Sequence, residues 1–467
     1  MPRPGCLIGA AAVGLALCGG TAAAQVEVTP AQLLGLARAA LEAGAAGDAR
    51  RYAEGLLARD PSDPDALTIV AEAALSSGDE AAARQAAAAL YRDGRLPRAA
   101  RYRAARLAAF AAAREERFLL SQIWLRRALT VAPDAAAEAQ TIRDAASVRR
   151  QSPLSVELRF GVAPSDNVNN GSTTPDYVVD GEVLGGLSAG AQALSGWVGT
   201  GSVALAYRLS ESPTQRTLLR LDLSTRRVWL SEESERALQD GALPWEEPLD
   251  AEDFGSARAA IGLSHDRALG GGALGLSATL GRSWTAGDVG YDFLALDADW
   301  ARPLGEERIL RLSVGTEWRD RPELDTRERL DALTATWQQG WSGGVTSVTL
   351  GAEQLESENA NARATTLSFG LGHRLPQQVG PALVTLSATY AVTDYPDYTI
   401  FDPRVVGFVR VGRDDRRLSG RIEAALVDWS WAGFVPVVSL DGAATDSNVS
   451  RFETSSVGLG VEVRSAF

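Results

Sequence analysis

"LSVELRFGV", Leu154 to Val162, decides how the rest of this chain is read. Leu154, Val156, Leu158, Phe160 and Val162 share one face of an extended strand; Ser155, Glu157, Arg159 and Gly161 share the other. A period of two with one apolar and one polar face belongs to a strand between an apolar medium and water. The pattern starts just after Ser152. Upstream, from Pro30 to Gln151, apolar residues recur at helical spacing in a stretch rich in Ala, Leu, Arg and Glu.

Downstream the alternation returns until the end of the chain. It predicts about fourteen strands, starting near residues 154, 195, 216, 254, 271, 290, 307, 327, 344, 362, 381, 414, 431 and 452. Most have the ~9–11 residues that a tilted strand needs to cross a bilayer. The expected class is a transmembrane antiparallel β-barrel preceded by an all-α domain.

The connections support closure. Even-to-odd connections are short: "SESPTQ", "RALGGG", "PLGEER", "WSGG", "RLPQQVG" and "WAG". The three long ones, Pro164 to Gly190, Ser231 to Asp253 and Asp394 to Arg413, are all odd-to-even and so fall at one end. Outer-membrane barrels have this asymmetry. Ten of the eleven tryptophans lie after residue 151. Trp229, Trp284 and Trp318 should end outward-running strands and Trp300, Trp337 and Trp429 inward-running ones, giving two interfacial belts.

The chain begins like a secretory leader. Arg3 is followed by an apolar run, Leu7 to Leu17, and small residues at Ala22 and Ala24, so residues 1–24 are expected to be removed. A lipoprotein leader acylated at Cys18 is the alternative, with bulky Leu17 where a small residue is wanted. Cys6 and Cys18 are the only cysteines, so the mature chain has no disulfide and no thiolate metal site. No later apolar run reaches the ~18 residues of a membrane helix. The net charge of −13 argues against nucleic acid as a partner. Every basic residue is arginine, a pattern GC-rich codons produce.

Residues 25–151 read as a helical domain and 152–467 as the barrel. Gly47 with Asp48, and Gly78 with Asp79, look like helix stop-and-start pairs. Ala83, Ala87, Ala128 and Pro133 match the small and proline positions of a tetratricopeptide-like repeat, about three helix pairs in all. A plain helical bundle is the other reading. A repeat array offers a concave groove for a peptide or protein.

"FGVAPSDNVNNG" (160–171) ends the first strand, and "TDSNVSR" (445–451) precedes the last. In a closed barrel these strands are neighbours. Asp166, Asn167, Asn169 and Asn170 are therefore expected to meet Asp446, Ser447 and Asn448 at the seam. Two readings stand: polar strand terminators, or a hydrogen-bonded latch over a seam that opens sideways.

With "GRDDRRLSGRIEAALVDWSW", "FVPVVSLDGAATDSNVSRFE" and the terminal "VGLGVEVRSAF", the chain resembles the surface lipoprotein assembly modulator (Slam) family. The resemblance covers nearly the whole mature chain, most specifically the Asn-rich end of strand one and the last three strands. It implies a periplasmic tetratricopeptide domain and a fourteen-stranded outer-membrane barrel. It implies delivery of client proteins, surface lipoproteins or secreted haem- or iron-scavenging proteins, to the cell surface. Implied partners are the client, periplasmic chaperones, the barrel assembly machinery and outer-membrane lipid. No cofactor, metal or catalytic residue is expected.

The remaining motifs are weaker. "SHD" (264–266) puts successive side chains on opposite faces of a strand, which a catalytic triad cannot use. The only other histidine is His373. The acidic stretch 231–253 reads as a solvated loop, or as a docking site for a cation or client. Arg413, Asp414, Asp415, Arg416 and Arg417 are candidate lumen charges forming a constriction, or ordinary lumenal ion pairs. Rival readings are an exopolysaccharide exporter, a passive porin and, more distantly, an outer-membrane hydrolase.

Overall fold

The computed structural model describes residues 28–241 and 249–465. The expected leader, Glu246, Glu247 and the final Phe467 lie outside the described residues. Two compact units divide the chain between Leu90 and Tyr91.

The first unit contains α1 (Pro30–Glu42), α2 (Ala46–Leu57), α3 (Pro64–Ser77) and most of α4 (Glu80–Arg92). Thr29 and Gln32 close a capping box on α1, and Asp63 caps α3 through the amides of Asp65 and Ala66. Gly78 ends α3 at φ 79°, and Asp79 accepts from the Ala82 amide to open α4, as the sequence suggests. The pair at 47–48 acts differently. Gly44 takes the positive φ, 76°, so both residues lie inside the first turn of α2. Ala37, Ala49, Ala53, Ala66, Ala83 and Ala87 are fully buried, so methyl-sized side chains set the helix spacing.

The second unit begins with α5 (Arg98–Arg114), α6 (Phe118–Thr130) and α7 (Ala135–Gln151). Tyr102 Oη donates to the Ala137 carbonyl at 2.8 Å, and Arg106 pairs with Asp144 at 2.6 Å. At its end α7 is capped by Arg208, which reaches the carbonyls of Arg150, Gln151 and Ser152 at 3.0–3.3 Å. None of the described helices is long and apolar enough to cross a membrane.

Fourteen strands then close a barrel in which every neighbouring pair is antiparallel. In chain order they are Leu154–Ser165, Gly196–Ser212, Gln215–Leu230, Ser256–Leu269, Gly272–Thr285, Asp288–Pro303 and Arg308–Arg321. The second half is Thr326–Trp341, Gly344–Ser357, Ala364–Arg374, Leu383–Tyr395, Arg413–Ala425, Phe434–Ser447 and Thr454–Ser465. The largest error in an expected start is three residues, 431 against Phe434, because a short 3-10 turn (Val427–Trp429) precedes that strand. Trp429 therefore sits in a turn and not at a strand end.

The outer face is a band of leucine, isoleucine and valine. Leu263, Leu280, Val314, Leu333, Leu350, Leu367, Leu418 and Val461 are all exposed. Such a surface is stable against lipid and unstable against water. The inner face is polar, as the cross-strand registers Arg220–Gly262, Asp297–Gly315 and Arg421–Asp441 illustrate. The three long connections lie at one end. Trp197 pairs with Trp229 at that end, and Trp337 and Trp341 lie at the other.

Placing arginine at Leu333, on the lipid face, should cost about 2–4 kcal/mol of folding free energy into vesicles. At its inward neighbour Thr334 the cost should be much smaller. Urea titration of vesicle-folded protein, read by heat-modifiable gel mobility, measures both.

Candidate functional site

The first and last strands are the weakest neighbours in the ring. Five positions pair across the seam, Arg159 with Arg464, Phe160 with Val463, Gly161 with Glu462, Val162 with Val461 and Ser165 with Gly458. On its other side the first strand pairs at twelve positions, Leu154 to Ser165 against Tyr207 to Gly196. Pro164 supplies no amide to either ladder. Arg159 stands directly opposite Arg464, a repulsive arrangement. Each is neutralised on its own side: Arg159 by Glu157 at 2.5 Å, Arg464 by Glu423 at 2.7 Å and Glu462 at 2.5 Å. Neither arginine pairs with a carboxylate of the facing strand.

Above this short ladder the loops take over. Asp166 accepts from the Val457 amide at 2.9 Å, and Asn167 Nδ2 donates to the Ser455 carbonyl at 3.0 Å. Buried Asn167 also closes its own turn, donating to the Gly171 carbonyl and accepting from the Gly171 amide. A side chain at Gly171 would meet the Gln192 carbonyl at 2.1 Å, so glycine is required there. Asn448 Nδ2 donates to Asp180 Oδ1 at 3.0 Å, and its carbonyl accepts from the Asp180 amide at 2.9 Å.

Four of the seven expected seam residues make no such contact. Asn169 bonds only within its own loop, to Gly190, Gly171, Gln192 and Leu194. Asn170 is exposed and takes φ 53°, the left-handed position asparagine tolerates. Asp446 is exposed on a strand, and Ser447 accepts only from the Val449 amide.

Several residues that the sequence reading missed do more. Ser172 Oγ donates to the Ser450 carbonyl at 2.6 Å, Ser450 Oγ donates to the Asp176 carbonyl at 2.7 Å, and the Val178 amide donates to Ser450 Oγ at 2.8 Å. Asp176 and Val178 belong to a hairpin inside the first long loop, Asp176–Val179 with Glu182–Gly186. A second hairpin, Thr399–Asp402 with Gly407–Arg410, rises from the loop ending at Gly412. Val179, Ile400 and fully buried Val449 form the core that joins three loops. Arg404 bridges Asp402 and Glu182 between the two hairpins. The alternating "DYVVDGEVLGG" and "TIFDPRVVGFVR" with turn residues between were the available signals.

The five candidate lumen charges divide by parity. Asp414 and Arg416 share the outward face with Leu418 and do not line the lumen. Asp415 and Arg417 face inward, and Arg417 donates to Thr445 Oγ1 at 3.0 Å. Arg413 is buried, paired with Asp415 at 2.5 Å and stacked 3.5 Å from Phe452 and 3.8 Å from Tyr395. It anchors the third long loop.

At the opposite end, Arg126 of α6 holds the turn before the thirteenth strand. Its guanidinium donates to the carbonyls of Ala432 and Gly433 at 3.0 and 3.1 Å and to Ser465 Oγ at 2.7 Å, 4.4 Å over the Phe434 ring. Burial lowers its pKa. The helical segment is thus fastened beside the last strand.

Neither histidine belongs to a catalytic or metal cluster. His265 and His373 lie on the outer face, each 2.9 Å from a cross-strand threonine, Thr217 and Thr346. Ser264 and Asp266 face inward, and Asp266 pairs with Arg216 at 2.8 Å. No group of three or more metal-ligating side chains occurs among the described residues. The acidic stretch is partly helical, Glu232–Gly241, with Ser234 and Leu238 buried near Val168, Leu194 and Val228. Its middle, 242–248, lies outside the described residues.

Replacing Asn167 by alanine strips partners from buried backbone groups on both sides of the seam. It should cost about 1–3 kcal/mol. Asn170→Gly should stay within about 0.5 kcal/mol. Urea unfolding followed by tryptophan fluorescence measures both.

No family model matches the chain, and no curated protein matches it. Among solved structures it is similar to an outer membrane channel from Pseudomonas putida F1 at 12% identity and TM-score 0.34, over 67% of this chain and 95% of that one. It is similar to OccAB2 of Acinetobacter baumannii at 10% identity and TM-score 0.37, over 67% and 97%. It is also similar to a BenF-like porin from Pseudomonas fluorescens Pf-5 at 8% identity and TM-score 0.37, over 67% and 99%. Likenesses this distant add nothing to what the barrel's own geometry establishes.

Proposed function

We propose that this protein is an outer-membrane translocator that carries particular client proteins to the cell surface. The helical region lies in the periplasm and works as a tetratricopeptide-like receptor for the client or its chaperone. The barrel passes the client outward, and its seam is the moving part. The observation that carries this reading is the seam itself. A ladder of five paired positions, with arginine facing arginine, is closed from above by exchangeable side-chain hydrogen bonds. A passive pore has no need of a weak closure, nor of helices fastened beside the last strand by Arg126.

The resemblance to the Slam family supports the same reading and names the client class: surface lipoproteins, or secreted haem- or iron-scavenging proteins. A polysaccharide exporter would be served by a lumen of one charge. Here arginines and carboxylates alternate and largely pair with each other along the inner wall.

A strain lacking the protein should lose a small set of proteins from its protease-accessible surface or its medium, with the same proteins retained inside. Surface proteomics with a parallel polysaccharide assay reads this. Unchanged surface proteins with lost polysaccharide would instead establish the polymer exporter. The route is tested by Asp180→Cys with Asn448→Cys, whose side chains are hydrogen-bonded and whose mature background lacks cysteine. Oxidation should stop export and reductant should restore it. Export unaffected by the closed disulfide would assign passage to the lumen.

A further inference from the structure

A second polar cluster lies on the inner wall, away from the seam, near the long-loop end of the fourth to eighth strands. Phe293 is 5% exposed and lies flat over Gly281, where a Cβ would come within 2.3 Å of the ring. Arg258 stacks 3.7 Å above Phe293, donates to Tyr291 Oη at 3.1 Å and to Glu317 at 3.2 Å. Arg319 and Arg321 each lie 5.0 Å from the centre of the Tyr291 ring. Arg319 Nε donates to Glu317 at 2.6 Å, and Arg321 Nε pairs with Glu328 at 3.0 Å.

Two features of this cluster are unbalanced. Three guanidiniums share two carboxylates, which leaves one positive charge in a partly desolvated wall. Two buried oxygens also have no hydrogen-bond partner, Glu328 Oε2 and Thr326 Oγ1. The Glu328 side chain is 5% exposed, and Arg319 Nη1 comes no nearer to its Oε2 than 4.0 Å. Thr326 and Glu328 are successive inward positions of the eighth strand, opposite Arg321 and Arg319. Buried polar atoms without partners are rare and call for a missing group.

The missing group must carry negative charge for the arginines and must also donate a hydrogen bond to a carboxylate. A deprotonated carboxylate or sulfate has no donor. Hydrogen phosphate has both. We propose that this cluster is a lumenal binding site for hydrogen phosphate. The terminal N–H groups of Arg319 and Arg321 donate to its oxygens, and its P–OH donates to Glu328 Oε2. Arg321, with 27% of its side chain exposed, covers Glu328 from the lumen and turns toward the ligand as it enters. Glu328 then acts as the selectivity element, because it repels any oxyanion without a proton to give. The site does not depend on the translocation reading.

Equilibrium dialysis of labelled inorganic phosphate against the full-length protein in detergent micelles tests it. Saturable binding is expected, with sulfate a poor competitor. Arg321→Gln should weaken binding by roughly tenfold or more, the loss of a charge-assisted hydrogen bond. Glu328→Gln should abolish the preference for phosphate over sulfate, since an amide donates to sulfate. A merely structural network would not change selectivity. Absent saturable binding, or equal competition by sulfate in the unmodified protein, would overturn the proposal without any variant having to fold.

Discussion

A backbone surrounded by lipid has no water to bond, so every amide and carbonyl in the apolar band must find a partner within the protein. The closed ring of fourteen antiparallel strands meets that demand, and most other features follow from it. Closure brings residues near 160 beside residues near 460. It also fixes which face of each strand meets lipid, because side chains alternate. The leucine and valine band outside and the arginines and carboxylates inside are two readings of one register.

The ring is not uniform. Thirteen of its fourteen joints connect strands adjacent in sequence along the chain, and a turn or loop fixes their register. The last joint has no such connection. There the ladder is short, Pro164 lacks an amide, and Arg159 meets Arg464. Its long-loop end is held instead by Asp166, Asn167, Asn448 and the two serines Ser172 and Ser450. Side-chain hydrogen bonds of this kind have modest net strength but are costly to leave unmade when buried. That combination suits a closure that exchanges partners and does not fray.

The two ends of the barrel obey different constraints. At the short-turn end the helical segment is fastened by Arg126 to the turn at Ala432–Gly433, and the end of α7 is held by Arg208 of the second strand. Long connections there would compete with those contacts. At the other end the loops are long enough to fold on themselves, and two of them make hairpins that share the core of Val179, Ile400 and Val449. The inner wall follows a third rule: its charges are largely paired where they stand, so the excess charge beside Tyr291 is a local exception.

Much of this was legible in the sequence. "LSVELRFGV" and its successors determined the number of strands, their approximate starts and the face each residue takes, because a period of two is a local property of the backbone. The parity of connection lengths determined which loops share an end. The stop-and-start pair at Gly78 and Asp79 is equally local. The contacts within the closure were not legible in detail. Closure told that 160–171 and 445–451 would be neighbours, but not that Asn169 would turn back into its own loop while Asp180 and Ser450 spanned the gap. Those partners are hundreds of residues apart, and hairpins that the flanking loops conceal decide their geometry. The same holds for Arg413, where a run of charges suggested a constriction and strand parity together with the rings of Tyr395 and Phe452 made an anchor. Local periodicity determined the barrel; only the closed tertiary structure decided which polar groups face each other, because that depends on the register of strands that the sequence does not connect.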